Sequence, residues 1–251
     1  GLDTALSSSA SAVTSDRTKP STPALGVTES NCVGYWSFDD SSMVGRDYSA
    51  TGNNLTNAGG SYTSAGEING AMNFNNSYMQ NDWQDFSLIN QTIEFWVNVN
   101  SINSSWRDMV GTTLNGDSNR FHLNSGNNSI IWYNYLGSGS SLDSGVIPAT
   151  GKWYHVAGTY DGATVKIYVN GQQLNSASAA ITSYTATGIW VGGTSEAFDG
   201  KIDEVKLYNR ALSSAEIQSH YSSGLNYVQL SAKPTDSNLA GYWNFDEGSG
   251  S

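Results

Sequence analysis

The chain has 251 residues, a length at which all-β sandwiches form single domains. It carries 22 acidic against 11 basic residues, a formal net charge of −11, and a surface this acidic repels the phosphates of nucleic acids. We therefore expect no nucleic-acid partner, and no apolar run approaches the roughly 20 residues that a membrane-spanning helix needs. Hydrophobic residues make up 38% of the chain, which permits a core and excludes wholesale disorder.

Strand patterns follow one another through the middle of the chain. Short apolar runs or alternating apolar and polar residues, bounded by turn residues, occur at ten places: 35–38, 71–74, 77–80, 92–99, 120–123, 130–133, 153–157, 164–169, 188–191 and 202–208. One short helix is predicted after them, with Ser213 and Glu216 as a capping box and Gly224 as its C-terminal stop. These elements predict an antiparallel sandwich of two sheets.

Four segments are predicted along the chain. Residues 1–30 contain Ser, Thr and Pro without periodicity, which is typical of a leader or linker. Residues 31–223 carry the strand pattern, and residues 224–238 form a second predicted linker. Residues 239–251 are predicted to be the first strand of a truncated second copy of the domain.

An internal repeat supports the last of these assignments. Residues 33–42 and 240–249 align with six identities in ten positions, including a Tyr-Trp pair followed by Phe-Asp in the same order. The repeat favours one period cut from a longer tandem array.

The chain has a single cysteine, Cys32, which excludes a multi-cysteine zinc site. Cys32 corresponds to Leu239 in the repeat, and this match favours a buried apolar role over an intermolecular disulfide.

Several segments resemble a known family. They are the Tyr-Trp-Ser-Phe-Asp run at 35–39, the Trp-Tyr-His-Val-Ala-Gly-Thr-Tyr-Asp-Gly run at 153–162, the hairpin at 167–171 and the closing run at 198–213. In order and spacing, residues 33–223 resemble laminin G-like, concanavalin A-like domains. The resemblance implies an all-β, antiparallel two-sheet jelly-roll sandwich with one short C-terminal helix, in which the first and last strands pair. It also implies an extracellular or cell-surface location.

A structural calcium ion is implied by the same resemblance. Asp39 and Asp203 match the family's acidic positions, and carbonyl groups near Asn69 and Gly70 would complete the oxygen ligands that calcium prefers. We therefore expect calcium as a structural cofactor. The alternative is that Asp203 pairs with a nearby lysine or caps a loop.

Carbohydrate binding is the function that the aromatic residues favour. Sugars stack their apolar faces on aromatic rings and present hydroxyl groups to polar side chains. Trp83 and Trp106 lie in polar, loop-like sequence, Tyr133 ends a predicted strand and Asn134 follows it, so these four are the candidate sugar contacts. The alternative is that these rings, like most Trp and Tyr residues of a sandwich, fill the core or its rim.

Enzymatic chemistry is not predicted. Hydrolases of this general fold carry a Glu-x-Asp-x-x-Glu strand, whereas Glu94 has no carboxylate two or four residues later. Asp203 and Glu204 are adjacent in a predicted strand and are expected on opposite sides of it. The three histidines lie in separate elements without the spacing of metal ligands: His122, His155 and His220.

These observations predict a non-catalytic, calcium-stabilised extracellular module of a tandem-repeat surface or secreted protein, acting in carbohydrate binding or cell adhesion. Its expected partners are a glycan or a cell-surface protein and neighbouring copies of the same module. The alternative is a structural subunit of an extracellular filament or surface layer held by strand exchange between copies.

Five Asn-x-Ser/Thr sequons are predicted N-glycosylation sites: Asn54, Asn75, Asn90, Asn103 and Asn127.

Overall fold

The computed structural model describes residues 29–87, 90–103, 105–114, 117–134, 140–179, 185–193 and 196–231. The predicted leader up to residue 28, residues 232–238 of the predicted second linker and the repeated segment 239–251 lie outside this part of the chain. No helix within the described ranges is long and apolar enough to cross a membrane.

Fifteen strands and one helix form the described structure. In chain order they are β1 Cys32–Trp36, β2 Thr56–Ala58, β3 Ser61–Thr63, β4 Ala71–Asn75, β5 Tyr78–Ser87, β6 Gln91–Val99, β7 Arg107–Leu114, β8 Asp117–Leu123, β9 Ile130–Asn134, β10 Ser140–Asp143, β11 Trp153–Tyr160, β12 Thr164–Val169, β13 Gln172–Ser178, β14 Thr185–Val191, β15 Asp199–Tyr208 and α1 Ser214–Ser231.

The strands form two antiparallel sheets. An eight-stranded sheet has the order β13-β12-β11-β6-β15-β4-β3, with β1 also paired to β15. A seven-stranded sheet has the order β10-β9-β8-β7-β14-β5-β2. The predicted two-sheet antiparallel sandwich is confirmed, and so is the predicted pairing of the first and last strands.

The core lies between the sheets because inward-facing side chains alternate with outward-facing ones along each strand. Phe95 packs edge-on against Phe121 at a centroid distance of 5.3 Å, and Phe121 stacks on Trp132 at 5.4 Å with an interplanar angle of 6°. Gly158 of β11 faces this pair. A Cβ atom there would lie 2.6 Å from both the Phe121 and Trp132 rings, so the aromatic stack requires glycine at this position.

Helix α1 covers the outer face of the eight-stranded sheet. The predicted capping box is present, because Ser213 Oγ accepts the Glu216 N–H at 3.3 Å and the Glu216 carboxylate accepts the Ser213 N–H at 2.7 Å. The helix continues through Gly224 to Ser231, so Gly224 is not its stop and residues 224–231 of the predicted linker are helical. Instead, Gly224 permits close approach to the sheet: a Cβ atom there would lie 2.5 Å from the Trp96 ring.

Cys32 is buried at the start of β1, where its thiol donates to the Gly34 carbonyl at 3.4 Å. Burial raises the pKa of this thiol to about 12, which keeps it protonated and unreactive at neutral pH. The predicted burial of Cys32 is confirmed.

Candidate functional site

Strands β7, β8 and β9 lie side by side in the seven-stranded sheet and present a row of polar and aromatic side chains on its outer surface. Phe121 and Leu123 of β8 point into the core, so the alternating Arg120 and His122 point outward. Arg120 lies opposite Tyr133 in the register of β8 with β9. Trp106, which directly precedes β7, completes this group. We call Trp106, Arg120, His122 and Tyr133 the outer aromatic face.

The aromatic members of this face contact one another as tilted ring pairs. The Trp106 ring lies over His122 at a centroid distance of 4.6 Å and an interplanar angle of 31°. The His122 and Tyr133 centroids are 6.1 Å apart, and the Arg120 guanidinium carbon lies 5.4 Å from the Tyr133 centroid. Trp106 remains 39% exposed. The face therefore offers an open indole beside a cationic donor, a combination suited to the apolar and hydroxyl faces of a sugar.

A glycine shapes the floor of this surface. Gly111 of β7 pairs with Trp190 of β14, and a Cβ atom at Gly111 would lie 2.5 Å from the Trp190 ring and 2.9 Å from the Arg120 Cβ. The absent side chain thus makes room for the buried Trp190 indole next to Arg120. Gly111 is the residue that allows both side chains to share one side of the sheet.

A buried polar group lies beneath Trp106. Asp108 is 1% and His122 is 2% exposed, and the His122 Nδ1 atom is 3.5 Å from an Asp108 oxygen. The Glu196 carboxylate approaches the same Nδ1 atom at 3.9 Å, and Arg120 approaches Asp108 at 3.6 Å. Burial and the neighbouring charge of Asp108 raise the pKa of Glu196.

The structure brings together two of the four predicted sugar contacts. Trp106 and Tyr133 both belong to the outer aromatic face, whereas the side chains of Trp83 and Asn134 lie outside the described residues. The backbone of Trp83 is on β5, four strands from β9, which corresponds to roughly 19 Å at about 4.8 Å per strand. The sequence analysis did not select Arg120 or His122, although both lie in the predicted strand 120–123; their grouping with Tyr133 depends on the register of β8 with β9.

The four residues predicted to hold calcium also meet in space. The Asp39 carboxylate accepts the Gly70 N–H at 3.0 Å and the Asn69 side-chain amide at 3.2 Å. Asp203 is fully buried, and its Oδ2 accepts the Ile68 N–H at 2.9 Å. Gly70 therefore donates its N–H group to Asp39, whereas its carbonyl group was expected to face the site. Asp203 caps the loop at Ile68, which is the alternative to calcium binding given above.

Oxygen atoms nevertheless converge at this position. A Cβ atom at Gly66 would lie 2.2 Å from the Gly70 carbonyl oxygen and 2.9 Å from Asp203 Oδ2, so both oxygens border one small space that glycine leaves open. Burial, and then the Glu204 and Asp39 charges, raise the pKa of Asp203 well above its usual value. Within the described residues no cationic side chain forms an ion pair with Asp203. This donor set fits a hard cation such as calcium.

Asp203 and Glu204 do not alternate as expected for strand neighbours. Glu204 has a φ of 52°, and the register between β15 and β6 shifts between Asp203 and Lys206. Glu204 accepts the Tyr35 hydroxyl at 2.8 Å on the outer side of the sheet, where Asp203 also lies. A β-bulge thus brings the two carboxylates close together, and the prediction of opposite sides was wrong.

A second polar cluster lines a cavity of about 210 Å³ between α1 and the eight-stranded sheet. His220 Nδ1 lies 2.8 Å from Glu94 Oε1, and His155 Nε2 lies 3.6 Å from Glu94 Oε2. Lys206 lies 3.9 Å from Glu94 and 3.4 Å from Glu29. Burial alone would raise the pKa of Glu94, but His155, His220 and Lys206 hold it well below its usual range. This carboxylate already has several hydrogen-bonding and charged protein partners, which is typical of a structural network.

The asparagines of all five predicted glycosylation sequons are exposed: Asn54, Asn75, Asn90, Asn103 and Asn127. Exposure is what glycosylation requires, and their modification stays a prediction.

Comparison with known proteins agrees with this architecture. A family model described as "Concanavalin A-like lectin/glucanases superfamily" matches residues 67–218. A comparison with curated protein sequences finds no significant match.

Solved structures of similar fold include a domain of an arabinanase and the binding domains of two toxins. Domain 4 of AbnA, a GH43 extracellular arabinanase from Geobacillus stearothermophilus solved with arabinotriose, has a TM-score of 0.58 and 20% identity over 75% of this chain and 97% of its own. The binding domain of Paraclostridial Mosquitocidal Protein 1 has a TM-score of 0.61 and 19% identity over 77% and 52%. The botulinum neurotoxin serotype G binding domain has a TM-score of 0.60 and 18% identity, over 77% of this chain and 51% of its own. This chain therefore spans about half the length of the two toxin domains, and the likeness shows the fold.

Proposed function

The chain belongs to the concanavalin A-like lectin/glucanases superfamily, and we propose that it is a non-catalytic extracellular module that binds carbohydrate through its outer aromatic face. The observation that carries this proposal is the exposed Trp106 indole held against His122 beside Arg120 and Tyr133. The arabinotriose complex of a similarly folded arabinanase domain supports it.

Each residue of the face has a role in this proposal. The Trp106 ring would stack on the apolar face of a pyranose or furanose ring, and removal of water from both surfaces would favour the contact. Arg120 would donate to sugar hydroxyl groups, and its position over Tyr133 limits the freedom that it loses on binding. Such a site would orient a sugar by ring stacking and hydrogen bonding.

The expected result of Trp106→Ala is a loss of sugar affinity of about thirtyfold, which corresponds to ~2 kcal/mol for an aromatic hot spot. The measurement is a glycan array followed by calorimetry with the best ligand, with arabinotriose included as a probe. Leu174→Ala is the matched control, because Leu174 is 43% exposed on the other sheet and its removal leaves the face intact.

Two results would contradict the proposal. Absence of any glycan binding by the native chain would reject the function. An equal loss in Trp106→Ala and Leu174→Ala would reject the site.

We propose further that calcium binds at Asp39, Asp203 and the Gly70 carbonyl and acts as a structural cofactor. Bound calcium would supply positive charge to carboxylates that otherwise repel one another, while the 68–70 loop holds both carboxylates in place. The buried Asp203, whose pKa is raised by burial and nearby carboxylates, supports this proposal.

Chelation of calcium is expected to lower the melting temperature of the native chain by roughly 5–10 °C. An ion at about 100 times its Kd stabilises the folded state by about 2.7 kcal/mol, and each kcal/mol moves the melting temperature of a domain this large by about 2–4 °C. Scanning calorimetry with and without EDTA measures the difference. Asp203→Asn should abolish the response, while Asp161→Asn, at an exposed hairpin, should retain it.

A melting temperature that does not change on chelation would reject the calcium proposal and leave the glycan proposal untouched.

A further inference from the structure

The polar group beneath Trp106 is assembled from three elements. Asp108 of β7 lies directly opposite His122 of β8 in the sheet register, which places their side chains within reach of one another. Glu196 comes from the segment before β15, and its carbonyl oxygen accepts the Asp108 N–H at 2.8 Å. Gly193 lets this segment approach: its φ is 77°, and a Cβ atom there would lie 2.8 Å from the Asp108 Cβ. Glu196 is therefore fixed to Asp108 through the backbone.

The ligand atoms are spaced somewhat more widely than those of a tetrahedral metal site. One atom each from Asp108, His122 and Glu196 lie within 4.8 Å of one another, and the distances from His122 Nδ1 to the two carboxylates are 3.5 and 3.9 Å. Neighbouring ligands of a zinc ion with bonds of about 2.0–2.1 Å are separated by roughly 3.4 Å. A small movement of the Glu196 side chain, which is only partly buried, would close the remaining gap.

The hydrogen-bonding capacity of this group is unfilled. Asp108 Oδ1, Glu196 Oε2 and both ring nitrogens of His122 are buried and make no hydrogen bond to a described residue. Buried polar atoms that are left without partners destabilise the folded state. Arg120 approaches only the other Asp108 oxygen, so these four atoms still lack a partner of suitable geometry.

We propose that Asp108, His122 and Glu196 form a binding site for a divalent transition-metal ion of the zinc class. Two carboxylates attract a divalent ion, although Arg120 already offsets part of the charge on Asp108, and the imidazole favours a transition metal over calcium. Three protein ligands leave a fourth position free, and the 31% exposure of the Glu196 side chain opens the site to solvent on that side. The site is separate from the proposed calcium position and does not depend on glycan binding.

A metal there would also explain the position of Trp106. The ring of a ligating histidine is fixed in orientation, and Trp106 packs against that ring at a tilt of 31°. The other arrangement available to these residues is a polar cluster of Asp108, His122 and Glu196 that holds together without metal. The two arrangements differ in one measurable property, because only the first binds zinc tightly and with a defined stoichiometry.

The test is calorimetric titration of Zn²⁺ into the native chain, stripped with EDTA and dialysed into excess Ca²⁺ so that the oxygen-rich site at Asp39 and Asp203 is filled. We expect one zinc per chain at neutral pH. Co²⁺ in place of zinc should give visible absorption that reports a nitrogen and oxygen ligand set.

Three variants locate the site. His122→Gln and the partly exposed Glu196→Gln should each weaken zinc binding by more than about tenfold, since even outer-shell changes cost 10–100-fold. Glu196→Gln keeps the test decisive if His122→Gln fails to fold, as judged by circular dichroism. His220→Gln is the control, because His220 also contacts a buried carboxylate but lies under α1 on the opposite sheet.

The proposal is overturned if the native chain binds no zinc, or if Glu196→Gln binds it as tightly as the native chain. Loss of zinc binding in His220→Gln with retention in Glu196→Gln would place the ion under α1 and equally overturn it.

Discussion

Gly158 lies where β11 crosses the stacked rings of Phe121 and Trp132. Its hydrogen atom faces those rings, and a methyl group would approach each to 2.6 Å. Because both rings are fully buried, neither is able to move aside without disturbing the core.

Gly158→Ala is therefore expected to destabilise the fold by about 1–3 kcal/mol through overpacking. Urea unfolding followed by tryptophan fluorescence measures the change in the free energy of unfolding. Gly126→Ala is the control, because Gly126 is an exposed turn residue whose nearest neighbouring atom is the tip of the Asn124 side chain at 3.3 Å. Equal stability of the two variants would contradict the packing argument.

At the residue level, the sequence reveals which side chains point outward but not which of them meet. The alternation of Arg120, Phe121, His122 and Leu123 is visible in the sequence, and Trp106 could be selected by its polar surroundings. The grouping of Asp108, His122 and Glu196 could not, because it depends on the register of β7 with β8 and on a loop that arrives some 70 residues later.

Helix α1 is held to the eight-stranded sheet partly by a titratable contact. His220 of the helix hydrogen-bonds to Glu94 of β6, and Glu29, Lys206 and Tyr208 face the same imidazole. Burial alone would lower the pKa of His220, but the hydrogen bond and charge of Glu94 raise it above 6.5. The protonated imidazole thus stabilises the docked helix.

This contact predicts a pH dependence of stability. A group whose pKa is raised by folding contributes fully below its unfolded pKa of about 6.5 and loses that contribution as the pH rises through the folded pKa. The free energy of unfolding should therefore fall as the pH is raised from 6 to 9. Urea unfolding across this range should show a shallower slope for His220→Gln, and the same slope in both proteins would contradict the prediction.

At the element level, ten strands and the helix could be predicted because each carries a local pattern of burial. The five that sequence reasoning missed are short, polar or interrupted: β2, β3, β7, β10 and β13. β13 is exposed along nearly its whole length, and β7 contains Gly111, so neither shows a clear alternation. Their strand conformation is imposed by hydrogen bonding to neighbours in the sheets.

At the scale of the whole molecule, β1 pairs with β15 of the same chain and so covers the strand edge that a neighbouring copy would otherwise use. Residues 205–208 of β15 pair with β1 of the same chain, Trp36 is fully buried, and the Tyr35 hydroxyl reaches Glu204. A β1-like strand from another copy would have to displace these contacts. The structure thus gives a reason to expect self-contained modules even within a tandem array.

We therefore predict that the 251-residue chain is a monomer in solution at micromolar concentration, as light scattering after size-exclusion chromatography would show. Dimers or longer polymers that disappear in Trp243→Ala, at the repeat position that matches Trp36, would instead support strand exchange between copies.

The position of β15 also governs when the domain is able to fold during its synthesis. On one side β15 pairs with β6, and on the other it pairs with both β4 and β1. Strands that are synthesised early are therefore joined through a strand that is synthesised late. The Tyr35 and Glu204 partners, for example, are 169 residues apart in sequence. Contacts this distant slow folding, and β1 and the β3-β4 pair stay unjoined to the rest of their sheet until residue 208 has been synthesised. During that interval strand edges are exposed, and only 13% of the residues are charged and able to discourage pairing with other chains. This is therefore the time at which the nascent chain most needs protection from aggregation.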